Sequence, residues 1–188
     1  NVKNILLVYP DYYKQLWYAS DDTGPAVHDF VPLGPATVAA LTPDRFHVDI
    51  WDEMIRGPID ERTTFARDYS LVGISGFRAH IPRCRQIARI FRQRGITVAF
   101  GGPGVSGAPD LCRGDFDVLF IGEAEKTWPQ FLEDWERGTA KSEYRQIEKP
   151  DLAHSPVPKW DSLAADFPRY AMGCVQTTRG CPFDCEFC

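Results

Sequence analysis

The feature that most constrains the fold is a set of five short apolar runs separated by helix-like segments. Each run has the length of a strand, and four of them stop at or beside a proline or glycine. Runs of this kind are typical of strands buried in a parallel sheet. The five runs are NILLVYP (4–10), FHVDIWD (46–52), LVGISG (71–76), TVAFGG (97–102) and DVLFIGE (117–123).

Helical periodicity fills the gaps between these runs. In residues 82–95 four apolar side chains follow the i, i+3, i+4, i+7 rule before Gly95 ends the pattern. They are Cys84, Ile87, Ala88 and Phe91. Residues 128–135 repeat this spacing, and residues 33–41 predict a shorter helix. Strands alternating with helices imply right-handed βαβ crossovers, so we predict an α/β fold with a Rossmann-like or flavodoxin-like five-stranded parallel sheet.

This sheet domain is predicted to cover residues 1–140. Residues 141–173 carry four prolines and lose the helical periodicity, which predicts a linker, and residues 174–188 would open another domain. Ligands of such sheets bind outside the carboxyl ends of the strands, so the loops there form the candidate site. The first of them, residues 10–31, is long and aromatic-rich, and is either a lid or a loop folded over its own aromatic cluster.

Composition and charge exclude several classes of protein. The net charge of -5 arises from 26 acidic and 21 basic residues, and the arginines between positions 83 and 94 suit the solvent face of a helix. We therefore expect no nucleic-acid partner. No run approaches the roughly 18 apolar residues of a membrane span, and no secretory signal is present, which predicts a cytoplasmic protein without a transmembrane segment.

Three of the six cysteines crowd into a C-x3-C-x2-C pattern at Cys181, Cys185 and Cys188. Such crowding favours a metal centre in a reducing compartment over a disulfide framework. A structural zinc site takes four protein ligands, so it would need Cys174 or a distant residue as well. Iron–sulfur clusters also usually take four cysteines, and a set of three leaves one iron open for chemistry. Spacing alone leaves zinc, an iron–sulfur cluster and free thiols open.

The cysteine pattern, with Phe187 just before the last cysteine, resembles the cluster-binding motif of the radical S-adenosylmethionine (SAM) enzymes. The resemblance implies a [4Fe-4S] cluster on three thiolates, whose fourth iron chelates S-adenosylmethionine. Reductive cleavage would then give a 5'-deoxyadenosyl radical that abstracts hydrogen from a substrate. The resemblance also implies an electron donor such as flavodoxin or ferredoxin, and it places the start of a radical SAM barrel at residues 174–188.

Segments ahead of the cysteines narrow this resemblance to the B12-binding-domain radical SAM proteins. They are PLGPATVAAL (32–41), GGPGVSGAPD (101–110), GEAEKTWPQFL (122–132) and PVPKWDSL (156–163). The resemblance implies cobalamin as a cofactor, with its nucleotide tail entering the carboxyl edge of the sheet. It points to Ser75, Gly76, Gly101, Gly102, Gly122 and Glu123 as the cobalamin-facing residues. The alternative is that the glycines make tight βα turns and that Glu123 caps the next helix.

One departure from the wider cobalamin pattern concerns the axial ligand. The D-x-H-x-x-G box, by which some cobalamin proteins supply a histidine to cobalt, is missing, and Tyr13 stands where the histidine would be. Many radical members of the family also lack this box, so its absence does not exclude cobalamin. We interpret the four histidines as surface or structural residues; they are His28, His47, His80 and His154.

We therefore expect the N-terminal part of a cobalamin-dependent radical SAM enzyme, with methyl transfer to an unactivated carbon as the leading reaction. One alternative is a radical SAM cyclase or rearrangement enzyme with a vestigial B12 domain. Another is a non-enzymatic flavodoxin-like module with a zinc or electron-transfer cluster. The substrate, a small molecule or a lipid, would be held by regions beyond Cys188. Because the chain opens without methionine and closes on a predicted ligand, we expect a piece of a longer protein that does not turn over alone.

Overall fold

A parallel β-sheet with helices on both faces forms the centre of the protein, as seen in a computed structural model. The structure describes residues 2–11, 28–146, 148–180 and 183. The strands are β1 (Lys3–Tyr9), β2 (His28–Phe30), β3 (Phe46–Asp52), β4 (Leu71–Ser75), β5 (Thr97–Gly101), β6 (Val118–Gly122), β7 (Glu143–Gln146) and β8 (Tyr170–Met172). The α-helices are α1 (Leu33–Leu41), α2 (Glu53–Arg56), α3 (Ile81–Gln93), α4 (Pro103–Gly107) and α5 (Thr127–Arg137).

The main sheet has six strands in the order β3-β1-β4-β5-β6-β7, and every pair in it is parallel. From β1 the chain crosses to β3 on one side, and then to β4 and the later strands on the other. This is the flavodoxin-like order, in which a crevice opens at the carboxyl ends of the strands where the winding reverses. The predicted α/β fold class is confirmed.

Strand β1 shows why the sequences of the strands are continuous apolar runs. Its four central residues are at most 3% exposed. Ile5 and Leu7 belong to an apolar cluster that includes residues of α1 and α5, whereas Leu6 and Val8 belong to a second cluster with α3. Because both faces of the sheet are covered, neither set of alternating side chains can be polar. The predicted apolar stripe of α3 faces the second cluster, and Phe91 is fully buried there.

The sheet has one strand more than the five predicted from sequence. The missed strand, β7, reads EYRQ and carries only one apolar side chain. It lies at the edge of the sheet and pairs with β6 alone. Tyr144 is buried and stacks on Phe120, whereas Arg145 is exposed. An edge strand needs apolar character on one face only, so a four-residue stretch of this kind gives no apolar run to detect.

The segment predicted as a linker packs along the sheet domain. Residues Trp160–Arg169 form a 3-10 helix whose Leu163 is fully buried in the cluster that contains α1. The backbone N–H of Lys159 donates to the carbonyl of Ala36 over 2.9 Å. Farther along, β8 pairs in parallel with β2 and makes a separate two-stranded sheet. The position of the domain boundary stays a prediction.

The helices are short throughout the part of the chain that the structure describes. The longest α-helix, α3, has 13 residues, whereas a bilayer requires about 20. None of the described helices combines the length and the apolar character that crossing a membrane would require.

Candidate functional site

A narrow cavity lies against the sheet near the carboxyl ends of its central strands. Its volume is about 60 Å³, and residues of β1, β4, β5, β6, α1 and α5 line it. Most of the surrounding groups are glycines or small apolar side chains. Phe120 and Trp128 supply the two aromatic walls. The cavity is therefore a slot between the sheet and the two helices on one of its faces.

The structure brings four of the six predicted cobalamin-facing residues to this cavity. They are Ser75, Gly101, Gly102 and Gly122. They come together because β4, β5 and β6 are neighbours and end at the same edge of the sheet. The other two predicted residues, Gly76 and Glu123, follow directly in the chain but are not among the residues that line the cavity. Contact of any of the six with a corrinoid stays a prediction.

Backbone geometry separates the predicted glycines into two kinds. Gly102 and Gly122 have φ of +97° and +84°, and a Cβ on Gly122 would lie 2.2 Å from the carbonyl oxygen of Gln146. Turn geometry alone therefore explains these two. Gly101 has no positive φ, and a Cβ there would meet the Cβ of Phe120 at 3.4 Å, an ordinary contact. The backbone does not require glycine at position 101, and its missing side chain leaves space in the cavity.

Gly73 is a cavity residue that the sequence analysis missed. It lies inside β4, where a Cβ would come within 2.9 Å of Cδ2 of Leu7 and 3.5 Å of the Trp128 ring. The indole is held in place because its Nε1–H donates to Oγ1 of Thr42 over 2.9 Å. The signal was present in the sequence, since a glycine inside a buried strand often marks a place that another group approaches closely.

Gly76 has a packing role beside the cavity. A Cβ at this position would lie 2.9 Å from Cβ of His80 and 3.3 Å from Sγ of Cys84. Its carbonyl also accepts a hydrogen bond from the N–H of Gly104 over 2.9 Å. Gly76 thus lets the segments that carry α3 and α4 approach the end of β4.

Glu123 binds an arginine of the segment that precedes the cysteines. Its Oε2 lies 3.0 Å from Nη1 of Arg179, and the same nitrogen also contacts Oε1 of Glu125. The N-cap residue of α5 is Lys126, so the alternative of Glu123 as a helix cap does not hold. The carboxylate of Glu123 therefore connects the end of β6 to residues close to the cysteine motif.

A buried ion pair organises the neighbouring ends of β1 and β3. The side chain of Glu53 is fully buried and that of Arg83 is 11% exposed, with 2.6 Å between Oε1 and Nη2. Glu53 also accepts the backbone N–H groups of Asp11 and Ile59, at 2.9 and 2.7 Å. A buried carboxylate without such partners would be strongly unfavourable. The prediction that Arg83 lies on the solvent face of a helix is therefore wrong. The sequence pattern of the helix does not show this, because only tertiary packing brings Glu53 to Arg83.

His80 lies between this ion pair and the end of β4. It is buried, and its Nδ1 accepts the backbone N–H of Phe77 over 3.0 Å. Burial lowers the pKa of His80, and the nearby charges of Asp11 and Glu53 oppose this in part. The neutral ring therefore serves the turn after β4, which fits the structural role predicted for it.

Two larger cavities, of about 350 and 320 Å³, lie beside residues 171–179 rather than at the strand ends. They share Trp160, Cys174 and Val175. We take the smaller cavity as the candidate ligand site, because it lies where doubly wound sheets bind ligands and because glycines open it.

The predicted metal ligands Cys181, Cys185 and Cys188 lie outside the described residues, as does most of the long first loop. Within the ranges that are described, no group of three or more His, Cys, Asp or Glu side chains could hold a metal ion. Cys84 and Cys112 are buried free thiols whose pKa values are raised by burial, so they favour the protonated form.

The fold and the slot define a class: a doubly wound α/β domain with a glycine-lined ligand cavity at its strand ends. Comparison with protein families identifies the family within that class, because residues 21–132 match the model of the B12 binding domain. This match covers more than half of the chain, so the chain belongs to the B12-binding domain family. The resemblance noted from the sequence segments is confirmed for this domain.

The relatives of this chain include several methyltransferases. An uncharacterised methyltransferase of Synechocystis is 35% identical over 84% of this chain and 28% of its own length. The bacteriochlorophyllide d C-8(2)-methyltransferase of Chlorobaculum tepidum is 31% identical over 89% of the chain and 37% of its own length. The hopanoid C-2 methylase of Rhodopseudomonas palustris is 29% identical over 99% and 36%. The chain thus spans about a third of the length of these relatives. No solved structure matches it.

Proposed function

We propose that this chain is the cobalamin-binding part of a methyltransferase, and that the strand-end cavity receives the nucleotide tail of the cofactor. The observation that carries the proposal is the set of glycines that opens this cavity at the edge of the sheet, in a chain of the B12-binding domain family. Cobalamin, when bound, supplies methyl-transfer chemistry that amino-acid side chains do not offer.

The cavity is smaller than the base it would receive, so its size defines what binding requires. Cavities that hold a benzene ring have a volume of about 150 Å³. At about 60 Å³ the slot must widen to admit a whole aromatic base. Pro35 and Val38 of α1 form the wall opposite the sheet residues, so movement of α1 is the simplest way to widen it. The missing side chain at Gly101 already provides close access to the sheet.

The residues around the slot have distinct roles in this proposal. Phe120 and Trp128 offer ring surfaces against which a flat base can pack. Ser75 provides a hydroxyl in the lining of the cavity that can hydrogen-bond to the tail. Gly101 lets the ligand reach the backbone. These residues bind and orient the cofactor, and none of them carries out a chemical step.

We extend the proposal to a radical SAM methyltransferase that holds a [4Fe-4S] cluster at Cys181, Cys185 and Cys188. The support is the C-x3-C-x2-C spacing, which provides three thiolates for four irons. Such a cluster supplies the electron that cleaves S-adenosylmethionine, and flavodoxin or ferredoxin would reduce it. One relative is named for a hopanoid and another for a bacteriochlorophyllide, so we propose a small molecule or a lipid as the methyl acceptor.

Cobalamin binding tests the central proposal through Gly101→Val. The added side chain would occupy the slot without strain from a positive φ, so we expect hydroxocobalamin to bind at least about tenfold more weakly than to the wild-type chain. Titration followed by visible absorption measures this. The matched control is Gly107→Val, because a Cβ at Gly107 meets nothing within 4 Å. A wild-type chain that binds no cobalamin, or a Gly101→Val chain that binds it equally well, contradicts the proposal.

A further inference from the structure

The segment 122–125, which begins at the last residue of β6, has two faces with different partners. Gly122 and Ala124 line the strand-end cavity. Glu123 and Glu125, which alternate with them in the sequence, both bind Arg179 instead. Alternate residues of this segment therefore contact different parts of the protein. Gly122 and Ala124 face the cavity, whereas Glu123 and Glu125 face the C-terminal part of the chain.

The ion pair between Arg179 and Glu125 is largely shielded from water, whereas the side chain of Glu123 is 33% exposed. The side chain of Arg179 is 16% exposed and that of Glu125 is 10% exposed. The Nε–H of Arg179 donates to Oε1 of Gln176 over 3.0 Å, and the hydroxyl of Ser155 donates to Oε1 of Glu125 over 3.0 Å. Removal of one partner from a shielded pair leaves the other charge uncompensated, which is more costly than breaking an exposed ion pair. We call Arg179, Glu123 and Glu125 the Arg179 cluster.

Arg179 precedes the first cysteine of the motif by only two positions. Two residues of extended chain span at most about 7 Å, so an anchor at Arg179 limits where Cys181 can lie. The anchor point is the rim of the cavity, because Glu123 and Glu125 flank Ala124 in the chain. Arg179 thus contacts the segment at the cavity in space and lies two positions from the cysteine motif in the sequence.

We propose that Arg179 is a positioning residue that holds residues 174–180, which precede the cysteine motif, at the rim of the cofactor cavity. In this role it couples the cavity to the cysteine motif. The inference deepens the proposed function and rests on it for the identity of the two cofactors. A ligand in the cavity contacts the segment 122–125 through Gly122 and Ala124, and the Arg179 cluster connects that segment to residues 174–180. Nothing in this role makes Arg179 a catalytic residue, since it acts only through the position of its neighbours.

Hydrogen exchange of the chain tests the positioning role without any cofactor. In Arg179→Met the amides of residues 174–180 and 122–126 should exchange at least about tenfold faster than in the wild-type chain. Arg179→Lys, which keeps the charge, should restore part of the protection. The matched control is Arg137→Met, which breaks an exposed pair with Glu133 and should change neither segment. Wild-type exchange rates in Arg179→Met would overturn the inference.

Exchange with hydroxocobalamin present tests the coupling, which a purely structural role would not produce. In the wild-type chain and Arg137→Met, hydroxocobalamin should slow exchange at residues 174–180. In Arg179→Met it should still bind with a Kd within about threefold of wild type but no longer slow exchange there. Glu125→Gln keeps the side-chain shape and provides a second variant should Arg179→Met fail to fold. Cofactor-dependent protection that survives in both variants would overturn the inference.

The two arms separate this inference from the proposed function. A wild-type chain that binds no hydroxocobalamin contradicts the proposed function, and the cofactor-free exchange of Arg179→Met still decides the positioning role. Normal cofactor binding with unchanged exchange in Arg179→Met contradicts the Arg179 inference alone.

Discussion

At the scale of single residues, glycines of similar appearance in the sequence have different physical causes. Gly122 is needed because its φ is positive and a Cβ would strike the carbonyl of Gln146. Gly76 is needed because α3 approaches it closely. Gly101 meets neither requirement, because its φ is not positive and a Cβ there would make an ordinary contact with Phe120. We therefore expect Gly101→Ala to change the stability of the fold little.

His80 gives the stability of the fold a defined pH dependence. Burial lowers its pKa below the usual 6.5, so the neutral form is favoured in the folded state. Its contribution to stability is fully present above about pH 6.5 and is lost as the pH falls through the lowered pKa. We expect the wild-type chain to lose more free energy of unfolding between about pH 7.5 and about pH 5 than His80→Asn does.

Urea unfolding of both proteins at the two pH values measures this difference. Asparagine is the suitable replacement because its side-chain oxygen can still accept the N–H of Phe77, as Nδ1 of His80 does. Losses of equal size in the two proteins would show that His80 does not titrate in this range. Acidic side chains also titrate at low pH, but they are common to both proteins and cancel in the comparison.

At the scale of elements, the 3-10 helix Trp160–Arg169 is part of the packed structure. Leu163 projects from it into the apolar cluster that contains residues of α1 and β1. Asp166 of this helix also forms an ion pair with Arg56, the last residue of α2, over 2.9 Å. The helix is therefore attached to the end of α2 as well. This helix therefore covers part of one face of the sheet, although the four prolines and weak periodicity of residues 141–173 favoured a linker.

Leu163→Ala should lower the free energy of unfolding by about 2–5 kcal/mol, because it removes a fully buried side chain and leaves a cavity. Equilibrium unfolding by denaturant measures the loss. Leu111→Ala serves as the control, since Leu111 is half exposed and its truncation should cost no more than about 0.5 kcal/mol. A loss at Leu163 as small as at Leu111 would mean that residues 160–169 are a loosely attached linker.

At the scale of the whole molecule, the two predicted cofactor sites are built from separate residues. The cavity is formed by strands and helices before residue 130, whereas the predicted cluster ligands begin at Cys181. The Arg179 cluster connects the segment 122–125 beside the cavity to Arg179, which lies two positions before Cys181 in the sequence. Loss of a cysteine should therefore remove the cluster and leave cobalamin binding in place.

Anaerobic reconstitution with iron and sulfide tests this separation with Cys185→Ala. We expect the variant to lose the cluster absorbance and most of the bound iron, because two thiolates are too few for the cluster. Its Kd for hydroxocobalamin should stay within about threefold of the wild-type value. Cys174→Ala is the control and should keep both cofactors. Tight zinc in place of iron, lost on changing Cys174, would instead support a four-ligand zinc site.

The sequence by itself determined the elements whose patterns are local. Five of the six sheet strands and the α3 stripe follow from short apolar runs and helical spacing. The edge where Ser75, Gly101, Gly102 and Gly122 meet follows from the rule that parallel strands end together. The cysteine spacing is likewise a local pattern, and its chemistry stays a prediction.

The tertiary structure alone decided the features that depend on contacts between distant residues. It placed β7 beside β6, brought Arg83 to Glu53, set Gly73 against Trp128 and joined Arg179 to the rim of the cavity. No local sequence pattern predicts these contacts, because each residue taken alone resembles an ordinary surface or strand residue. Only the packing of the sheet brings their atoms within range of one another.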